Sequence, residues 1–241
     1  MCGIIGIVGI APVTKRLVST LKRLEYRGYD SAGIALVSDN GIERRRTAGK
    51  IANLEALLET NPVTGFTGIG HTRWATHGEA NETNAHPHRA EGVALVHNGI
   101  IENYVELKKE LSETGYVFQT QTDTETVAAL LSSMIKSGKS PREAVAESLP
   151  RLTGAYSLGM VFDGEPEMII GARKGSPLVV GVGNGEMFLG SDALAIAPFT
   201  SKVIYLEEGD WCVLSRTTYE IFDSNNEPTT REVQTVDVEE D

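Results

Sequence analysis

Long hydrophobic runs and basic charge are both scarce in this sequence of 241 residues. No apolar run approaches the roughly 18 residues that a membrane-spanning helix requires, so we expect no membrane partner. Acidic residues outnumber basic ones by 33 to 22, and the resulting net charge of -11 argues against binding to nucleic acid. The basic run at residues 44–46 is short and is typical of a solvated strand face.

Cysteine is scarce as well, because the chain contains only two, Cys2 and Cys212. Two cysteines are too few for a disulfide framework. Cys212 stands in an apolar segment and is expected to be a small buried side chain. A functional Cys2 would have to stay reduced, which predicts a cytoplasmic location. Metal-binding patterns and a dinucleotide fingerprint are also missing, so we expect neither a metal nor another cofactor.

Hydrophobic periodicity predicts similar amounts of helix and strand. Residues 2–10 are β-branched and punctuated by glycine, as in a buried strand. Asp39, Asn40 and Gly41 predict a hairpin, and residues 140–143 predict a capping box that begins a helix. Residues 155–222 form a succession of short strand patterns. This arrangement favours an α+β fold with antiparallel sheets covered by helices over a doubly wound parallel sheet.

Two segments have few apolar residues. Residues 76–92 are predicted to form a long polar loop, and loops of that length are usually functional or disordered. Residues 224–241 are polar and acidic, and they are predicted to be a linker or tail. We therefore expect one domain over residues 2–222 and a tail over residues 223–241.

Cys2 is the first candidate for chemistry. Removal of the initiator methionine, which is expected before a small side chain, would give Cys2 both a thiol and a free α-amine. An α-amine titrates at about 7.7–8.0 and so can act as a base beside its own thiol. The alternative is a second-position cysteine without a role.

The segment HTRWATHG, residues 71–78, leaves a predicted strand and enters the long loop. Arg73 offers a planar fork that matches a carboxylate, and Thr76, His77 and Gly78 offer further hydrogen bonds. Trp74 at the loop entrance would shield a site from water. The alternative is an ordinary surface loop with one core aromatic residue.

Two further segments each allow two interpretations. Asn98 and Gly99 follow a strand, and they predict either a hairpin turn or an oxyanion hole made of a side-chain amide and a backbone N–H. Thr122 and Asp123 precede an apolar-periodic helix, and they predict either a helix cap by one of the two side chains or a partner for an ammonium group at Asp123.

Taken together, these segments resemble the glutaminase domains of the glucosamine-6-phosphate synthase family, also called glutamine–fructose-6-phosphate aminotransferases. The resemblance is carried by CGIIG, RLEYRGYDSAG, HTRWATHG, NAHPH, HNGIIEN and TDTE, at residues 2–6, 23–33, 71–78, 84–88, 97–103 and 122–125. The segment KGSPL at residues 174–178 fits as well. These segments stand in the same order over roughly half of the chain.

The resemblance implies a four-layer αββα sandwich of the N-terminal nucleophile hydrolase type, with two mainly antiparallel sheets. It also implies a role for each matched residue. Cys2 corresponds to the nucleophile, Asn98 and Gly99 to the oxyanion hole, and Arg27 to a residue that positions Cys2. Arg73, Thr76, His77 and Gly78 correspond to the glutamine-binding loop, Asp123 to the partner of the substrate ammonium, and Trp74 to a gate toward an ammonia channel.

The implied reaction is hydrolysis of L-glutamine to glutamate and ammonia through a γ-glutamyl thioester. In the full-length family members, the ammonia goes to fructose-6-phosphate in a sugar-isomerase-like synthase region, which is missing from this sequence. Two alternatives remain open. One is the glutaminase domain of another class 2 amidotransferase, and the other is a silent module that binds glutamine without hydrolysing it.

Overall fold

The computed structural model describes residues 2–236. Its helices are α1 (Thr14–Arg23), α2 (Ile51–Thr60), α3 (Tyr104–Glu113), α4 (Thr124–Lys136), α5 (Pro141–Ser148) and α6 (Ala193–Ile196). Its strands are β1 (Gly3–Val8), β2 (Ser31–Ser38), β3 (Gly41–Ala48), β4 (Thr67–Arg73), β5 (His88–Ala90), β6 (Val93–Ile101), β7 (Gly154–Phe162), β8 (Ile169–Lys174), β9 (Val179–Val182), β10 (Met187–Gly190), β11 (Lys202–Tyr205), β12 (Trp211–Leu214), β13 (Tyr219–Phe222), β14 (Pro228–Thr229) and β15 (Gln234–Thr235).

The strands form two sheets. The first sheet has the order β15-β11-β9-β10-β1-β4-β2-β3, and the second has the order β14-β13-β12-β8-β7-β6-β5. Neighbouring named strands pair in the antiparallel sense. The strands β1 and β4 lie near the centre of the first sheet, and this central position buries the segment that begins at Cys2.

Three hydrophobic clusters show how the layers stack. One cluster joins side chains of both sheets, including Ile4 and Ile69 of the first sheet and Val96 of the second. A second cluster packs α1, α2 and α6 on the outer face of the first sheet. A third packs α3, α4 and α5 on the outer face of the second sheet. The resulting order is helix, sheet, sheet, helix, so the predicted four-layer αββα sandwich is confirmed.

Strand β1 is apolar on both faces because both faces are covered. Ile4 and Val8 point between the sheets, whereas Ile5 and Ile7 point toward the helices of the first sheet. Successive side chains on a strand alternate between faces, and a strand covered on both sides therefore loses the polar-apolar alternation of an exposed one. The sequence prediction of a buried strand here is confirmed.

Three local predictions are confirmed, namely the β2–β3 hairpin, the capping box at Ser140 and the burial of Cys212. Strands β2 and β3 form the predicted hairpin, with Ser38 opposite Gly41. The capping box is present, because the Ser140 hydroxyl accepts from the Glu143 N–H and the Glu143 carboxylate accepts from the Ser140 N–H. Cys212 is fully buried. Within residues 2–236, no helix is long and apolar enough to cross a bilayer.

The prediction of a long polar loop over residues 76–92 is wrong in its second half. Residues 84–88 are buried, and β5 pairs with β6 at the edge of the second sheet. Arg44 and Arg46 donate to backbone carbonyls of this segment, at Pro87 and Ala85, over 3.2 and 2.9 Å. These two arginines are therefore not on a freely solvated strand face. Their hydrogen bonds satisfy backbone carbonyl groups of the segment, which can therefore be buried although it has few apolar residues.

Two other expectations change. The hairpin interpretation of Asn98 and Gly99 is wrong, because β6 continues through both residues to Ile101 and pairs with β7 over its whole length. The predicted tail is partly structured, since β14 and β15 each add an edge strand of two residues. The rest of the predicted tail, residues 237–241, lies outside the described residues, as does the expected removal of Met1.

Candidate active site

The candidate site lies where the central strands of the two sheets end. A cavity of about 210 Å³ is lined there by Cys2, Arg73, Trp74, Thr76, His77, His86, His97, Gly99, Ile100, Thr122, Asp123 and Thr124. Seven of these residues are predicted site residues. A larger groove of about 800 Å³ lies between α1 and α2. Its described lining contains no nucleophilic cysteine, so the smaller cavity is the candidate for chemistry.

The Cys2 sulfur is held against the backbone of Trp74. The Trp74 N–H donates to Cys2 Sγ over 3.2 Å, and Sγ is 3.6 Å from the Trp74 carbonyl oxygen. Burial raises the pKa of the Cys2 thiol, and the hydrogen bond from the Trp74 N–H opposes that shift. The resting group at neutral pH is therefore the thiol, and a nucleophilic Cys2 needs a base that removes its proton.

Asn98 is bound to the same residue. Its Nδ2 donates to the Cys2 carbonyl oxygen over 3.2 Å, and its Oδ1 lies 2.9 Å from His71 Nε2. His71 lies on β4 and Asn98 on β6, so this contact joins the two sheets. The predicted proximity of Asn98 to Cys2, which are 96 positions apart in the sequence, is thus observed.

Gly99 occupies a position that excludes a side chain. Its φ is +116°, and a Cβ atom there would lie 2.1 Å from the Ala155 carbonyl oxygen. A non-glycine residue would have to adopt an unfavourable backbone conformation and displace the paired strand. Because Gly99 has no side chain, the backbone of β6 itself lines the cavity at this position.

Arg73 and Asp123 bring opposite charges to the cavity. Both are buried, with 4% of each residue exposed. The guanidinium of Arg73 donates to the carbonyl oxygens of His77 and, over 3.1 Å, of Glu79. Asp123 Oδ2 accepts from the Ile101 N–H over 2.8 Å. Asp123 immediately precedes α4 and makes no side-chain capping bond, so the cap interpretation is wrong for this carboxylate, whereas the Thr122 hydroxyl accepts from the Glu125 N–H over 3.4 Å.

The loop after Arg73 carries the remaining predicted binding residues. Thr76 and His77 line the cavity, and the His77 ring packs edge-on against Tyr104 with 5.6 Å between ring centroids. Gly78 has a φ of +79°, and a Cβ atom there would lie 2.8 Å from Asn84 Nδ2. The loop therefore turns at a glycine that packs directly against the buried segment behind it.

Arg27 forms an ion pair with Asp192. Asp192 also accepts from the Ala195 N–H over 3.0 Å and so caps α6. The preceding residue, Ser191, accepts from the Ile4 N–H over 3.1 Å. Arg27 thus ties its own turn to a segment that contacts the start of β1, and its role in positioning Cys2 stays a prediction.

Four histidines are buried at or beside the cavity, namely His71, His86, His88 and His97, and two of them, His86 and His97, line it. Burial is the main reason that the pKa of each of them is lowered, to about 3 for His71. They are therefore neutral at pH 7. Their sequence pattern predicts no role for them, and the proline between His86 and His88 indicates only a rigid segment. Among residues 2–236, no three His, Cys, Asp or Glu side chains are grouped to hold a metal ion.

Fold and site together define the class. Two antiparallel sheets between helix layers, with a cysteine at the start of a central strand, are the arrangement of N-terminal nucleophile hydrolases. The chain belongs to the glutamine amidotransferase domain family, whose profile matches residues 71–198. It is thus an enzyme domain of the glutamine amidotransferase class.

Similar curated relatives are longer bacterial enzymes. The glutamine–fructose-6-phosphate aminotransferase (isomerizing) of Brucella suis biovar 1 is 57% identical over 234 residues, covering 97% of this chain and 39% of that protein. The enzyme of the same name from Caulobacter vibrioides is 58% identical over 236 residues, covering 98% and 39%. The chain therefore spans about two fifths of the length of these relatives.

Solved structures agree on the fold. The glutamine phosphoribosylpyrophosphate amidotransferase of B. subtilis matches with a TM-score of 0.79 and 27% identity, over 92% of this chain and 49% of that chain. A glutamine aminotransferase class-II domain protein from Silicibacter pomeroyi matches with a TM-score of 0.61 at 14% identity, over 92% and 99%. The second likeness concerns the fold alone.

Proposed function

We propose that residues 2–222 form a glutaminase domain that hydrolyses L-glutamine to L-glutamate and ammonia, with Cys2 as the nucleophile. One observation carries the proposal, which is that a cysteine thiol, a buried cation and a buried anion line the same cavity. Glutamine is a zwitterion at its α-carbon and carries a carboxamide at the other end. Its recognition therefore requires both charges beside a nucleophile.

Arg73 and Asp123 are the proposed partners of the substrate's charges. The guanidinium of Arg73 is planar and suits the α-carboxylate, while the Asp123 carboxylate suits the α-ammonium. In the structure, Arg73 binds carbonyl oxygens of its own loop. Substrate binding would exchange those neutral acceptors for a charged one, and Thr76, His77 and Gly78 would close the loop over the substrate.

The proposed chemistry begins at the Cys2 sulfur. The thiol proton passes to the α-amine of Cys2, and the sulfur forms a bond to the carboxamide carbon. The oxyanion that develops accepts hydrogen bonds from the Asn98 side chain and the Gly99 N–H. The C–N bond then breaks, and the α-amine returns its proton to the leaving nitrogen, which departs as ammonia.

A γ-glutamyl thioester on Cys2 is the intermediate. Water attacks its carbonyl carbon while the α-amine accepts a proton from that water. The C–S bond breaks, the sulfur recovers a proton, and glutamate is released. The raised pKa of the Cys2 thiol supports a base-assisted attack, because the thiolate is not the resting form.

The destination of the ammonia is a further part of the proposal. The names of the relatives support transfer to fructose-6-phosphate, which gives glucosamine-6-phosphate. Residues 223–241 would lead toward a sugar-isomerase-like region, and Trp74 would gate the path of ammonia. The Trp74 side chain is well exposed, at 55%, and so is free to meet such a region. We further propose a cytoplasmic location, since Cys2 must remain reduced.

The test is glutamate release from L-glutamine by the purified chain and by its Cys2→Ala variant, with intact mass measured for both. We expect release by a chain that has lost Met1 and none by the variant. Equal release by both would disprove Cys2 as the nucleophile. Glutamine binding without release by a chain that lacks Met1 would instead support a silent binding module.

A further inference from the structure

His71 and Asn98 meet at the end of the layer between the two sheets. Ile69 and Val96 point into that layer from β4 and β6. His71 and Asn98 are each two positions further along these strands and so lie on the same inner faces. His71 Nε2 is 2.9 Å from Asn98 Oδ1 and 3.1 Å from the His97 carbonyl oxygen. His71 itself is fully buried.

The partners of His71 determine where its proton lies. A carbonyl oxygen and an amide oxygen can only accept hydrogen bonds, so His71 Nε2 must carry the hydrogen. The other ring nitrogen, Nδ1, has no hydrogen-bond partner in the described part of the chain. A proton there would be buried without an acceptor, which agrees with the strongly lowered pKa of this side chain, about 3. His71 is thus a neutral donor with one defined tautomer.

This donor also determines which end of the Asn98 amide faces Cys2. With Oδ1 on His71, the Nδ2 group donates to the Cys2 carbonyl oxygen over 3.2 Å. The reversed amide would place Oδ1 against that carbonyl oxygen and an N–H group against the N–H of His71. Both contacts would be repulsive, so the two hydrogen bonds permit only one orientation.

The ring of His71 is itself held in place. It stacks on the His86 ring with 4.1 Å between centroids and 13° between planes. His86 Nδ1 accepts from the backbone N–H of His97 over 3.2 Å. The stack therefore connects the ring to the backbone of β6, immediately before Asn98.

We propose that His71 is a positioning residue that keeps the N–H end of the Asn98 amide directed toward Cys2 and the developing oxyanion. This inference rests on the proposed glutaminase function. His71 does not need to touch the substrate or exchange a proton with it. Its effect should appear in the rate of the chemical step and depend on Asn98.

The test compares two substitutions of His71 in the 241-residue chain, and the two new side chains are similar in length. His71→Gln keeps an N–H donor near the position of Nε2, whereas His71→Met has none, and both lose the ring stack equally. Removal of an oxyanion donor costs roughly 10²–10³ in rate. We expect His71→Met to lower kcat by about 10–100-fold with KM changed less than about threefold, and His71→Gln to recover most of kcat.

A double-mutant cycle separates positioning from a general structural effect. In an Asn98→Ala background, His71→Met should change kcat less than about twofold, because the group it positions is gone. His71→Asn, whose amide is too short to reach Asn98, serves as a second variant without the donor if His71→Met fails to fold. Thermal melting is recorded for every variant.

The possible outcomes are distinct. Equal kcat for the Gln variant and a folded variant without the donor would overturn the role of His71, as would additive effects in the cycle. A change confined to KM would also overturn it. A wild-type chain that lacks Met1 and releases no glutamate would overturn the proposed function and this inference with it.

Discussion

Asn84 and Gln121 bind each other in both directions. The Gln121 backbone N–H donates to Asn84 Oδ1 over 2.9 Å, and Asn84 Nδ2 donates to Gln121 Oε1 over 3.0 Å. Both residues also hold Glu79, whose carbonyl oxygen accepts from Asn84 Nδ2 and whose N–H donates to Gln121 Oε1. The loop that binds Arg73 is therefore anchored to the segment that precedes α4.

Removing this anchor should weaken substrate binding. We expect Asn84→Ala to raise the KM for glutamine, because the loop that carries the proposed binding residues Thr76, His77 and Gly78 loses its anchor. Loss of buried hydrogen-bond partners should also lower the free energy of unfolding by about 1–3 kcal/mol. Asn53→Ala is the control, since the Asn53 side chain donates to the Ala48 carbonyl at an exposed position. An unchanged KM in Asn84→Ala would contradict the anchoring role.

Asp123→Asn should test the contribution of the negative charge of Asp123, because it removes that charge and keeps the shape of the side chain. The Asn side chain can still accept from the Ile101 N–H, so folding should be preserved. Loss of the negative charge removes a charge-assisted bond to the substrate ammonium, worth about 1.5–3 kcal/mol, and should raise KM by roughly 10–150-fold. The matched control is Asp163→Asn, because Asp163 accepts from the Ile42 N–H far from the cavity. Similar KM values for the two variants would argue against Asp123 as the ammonium partner.

Gly99→Ala should abolish glutamine hydrolysis and destabilise the chain. A methyl group there meets the Ala155 carbonyl oxygen at 2.1 Å in a backbone with φ of +116°. The cost should exceed the roughly 1–3 kcal/mol of backbone strain alone, which urea unfolding would measure. Gly115→Ala is the control, because Gly115 has a φ of +95°, yet a Cβ atom there would meet no atom of the described residues within 4 Å apart from its chain neighbours. If the two variants were equally stable, the close approach to β7 would not matter.

The stability of the chain should fall in mild acid. The buried histidines His71, His86, His88 and His97 have a folded-state pKa below 6.5, their usual value. The unfolded chain therefore binds more protons below pH 6.5, so the folded state is fully stable above that pH and loses stability as pH falls. Each histidine costs about 1.4 kcal/mol per pH unit in that range, until its folded-state pKa is reached.

Urea unfolding at pH 7.5, 6.0 and 5.0 would measure this dependence. We expect the free energy of unfolding to drop progressively below pH 6.5. In the His71→Gln variant, the slope of the free energy of unfolding against pH should be smaller by the contribution of one histidine, because glutamine does not titrate. Constant stability between pH 7.5 and 5.0 would show that these histidines can be protonated in the folded chain.

Much of the fold could be predicted from sequence patterns. The capping box at Ser140 and the hairpin at Asn40 and Gly41 depend on local backbone chemistry, so the pattern is sufficient. The burial of residues 84–88 could not be predicted in this way because it depends on Arg44 and Arg46, which are about 40 positions away. The hairpin expected at Asn98 and Gly99 is absent because pairing with β7 keeps the strand extended.

The candidate site divides in the same way. The sequence by itself determined the reactive groups and the family resemblance, since Cys2, Arg73, Asn98 and Asp123 stand in recognisable short segments. Only the tertiary structure decided that His71 meets Asn98 and that Asn84 meets Gln121. Those contacts join residues from separate strands, sheets and loops. The first contact depends on how two sheets stack and the second on how two loops pack, and no local pattern of residues specifies either arrangement.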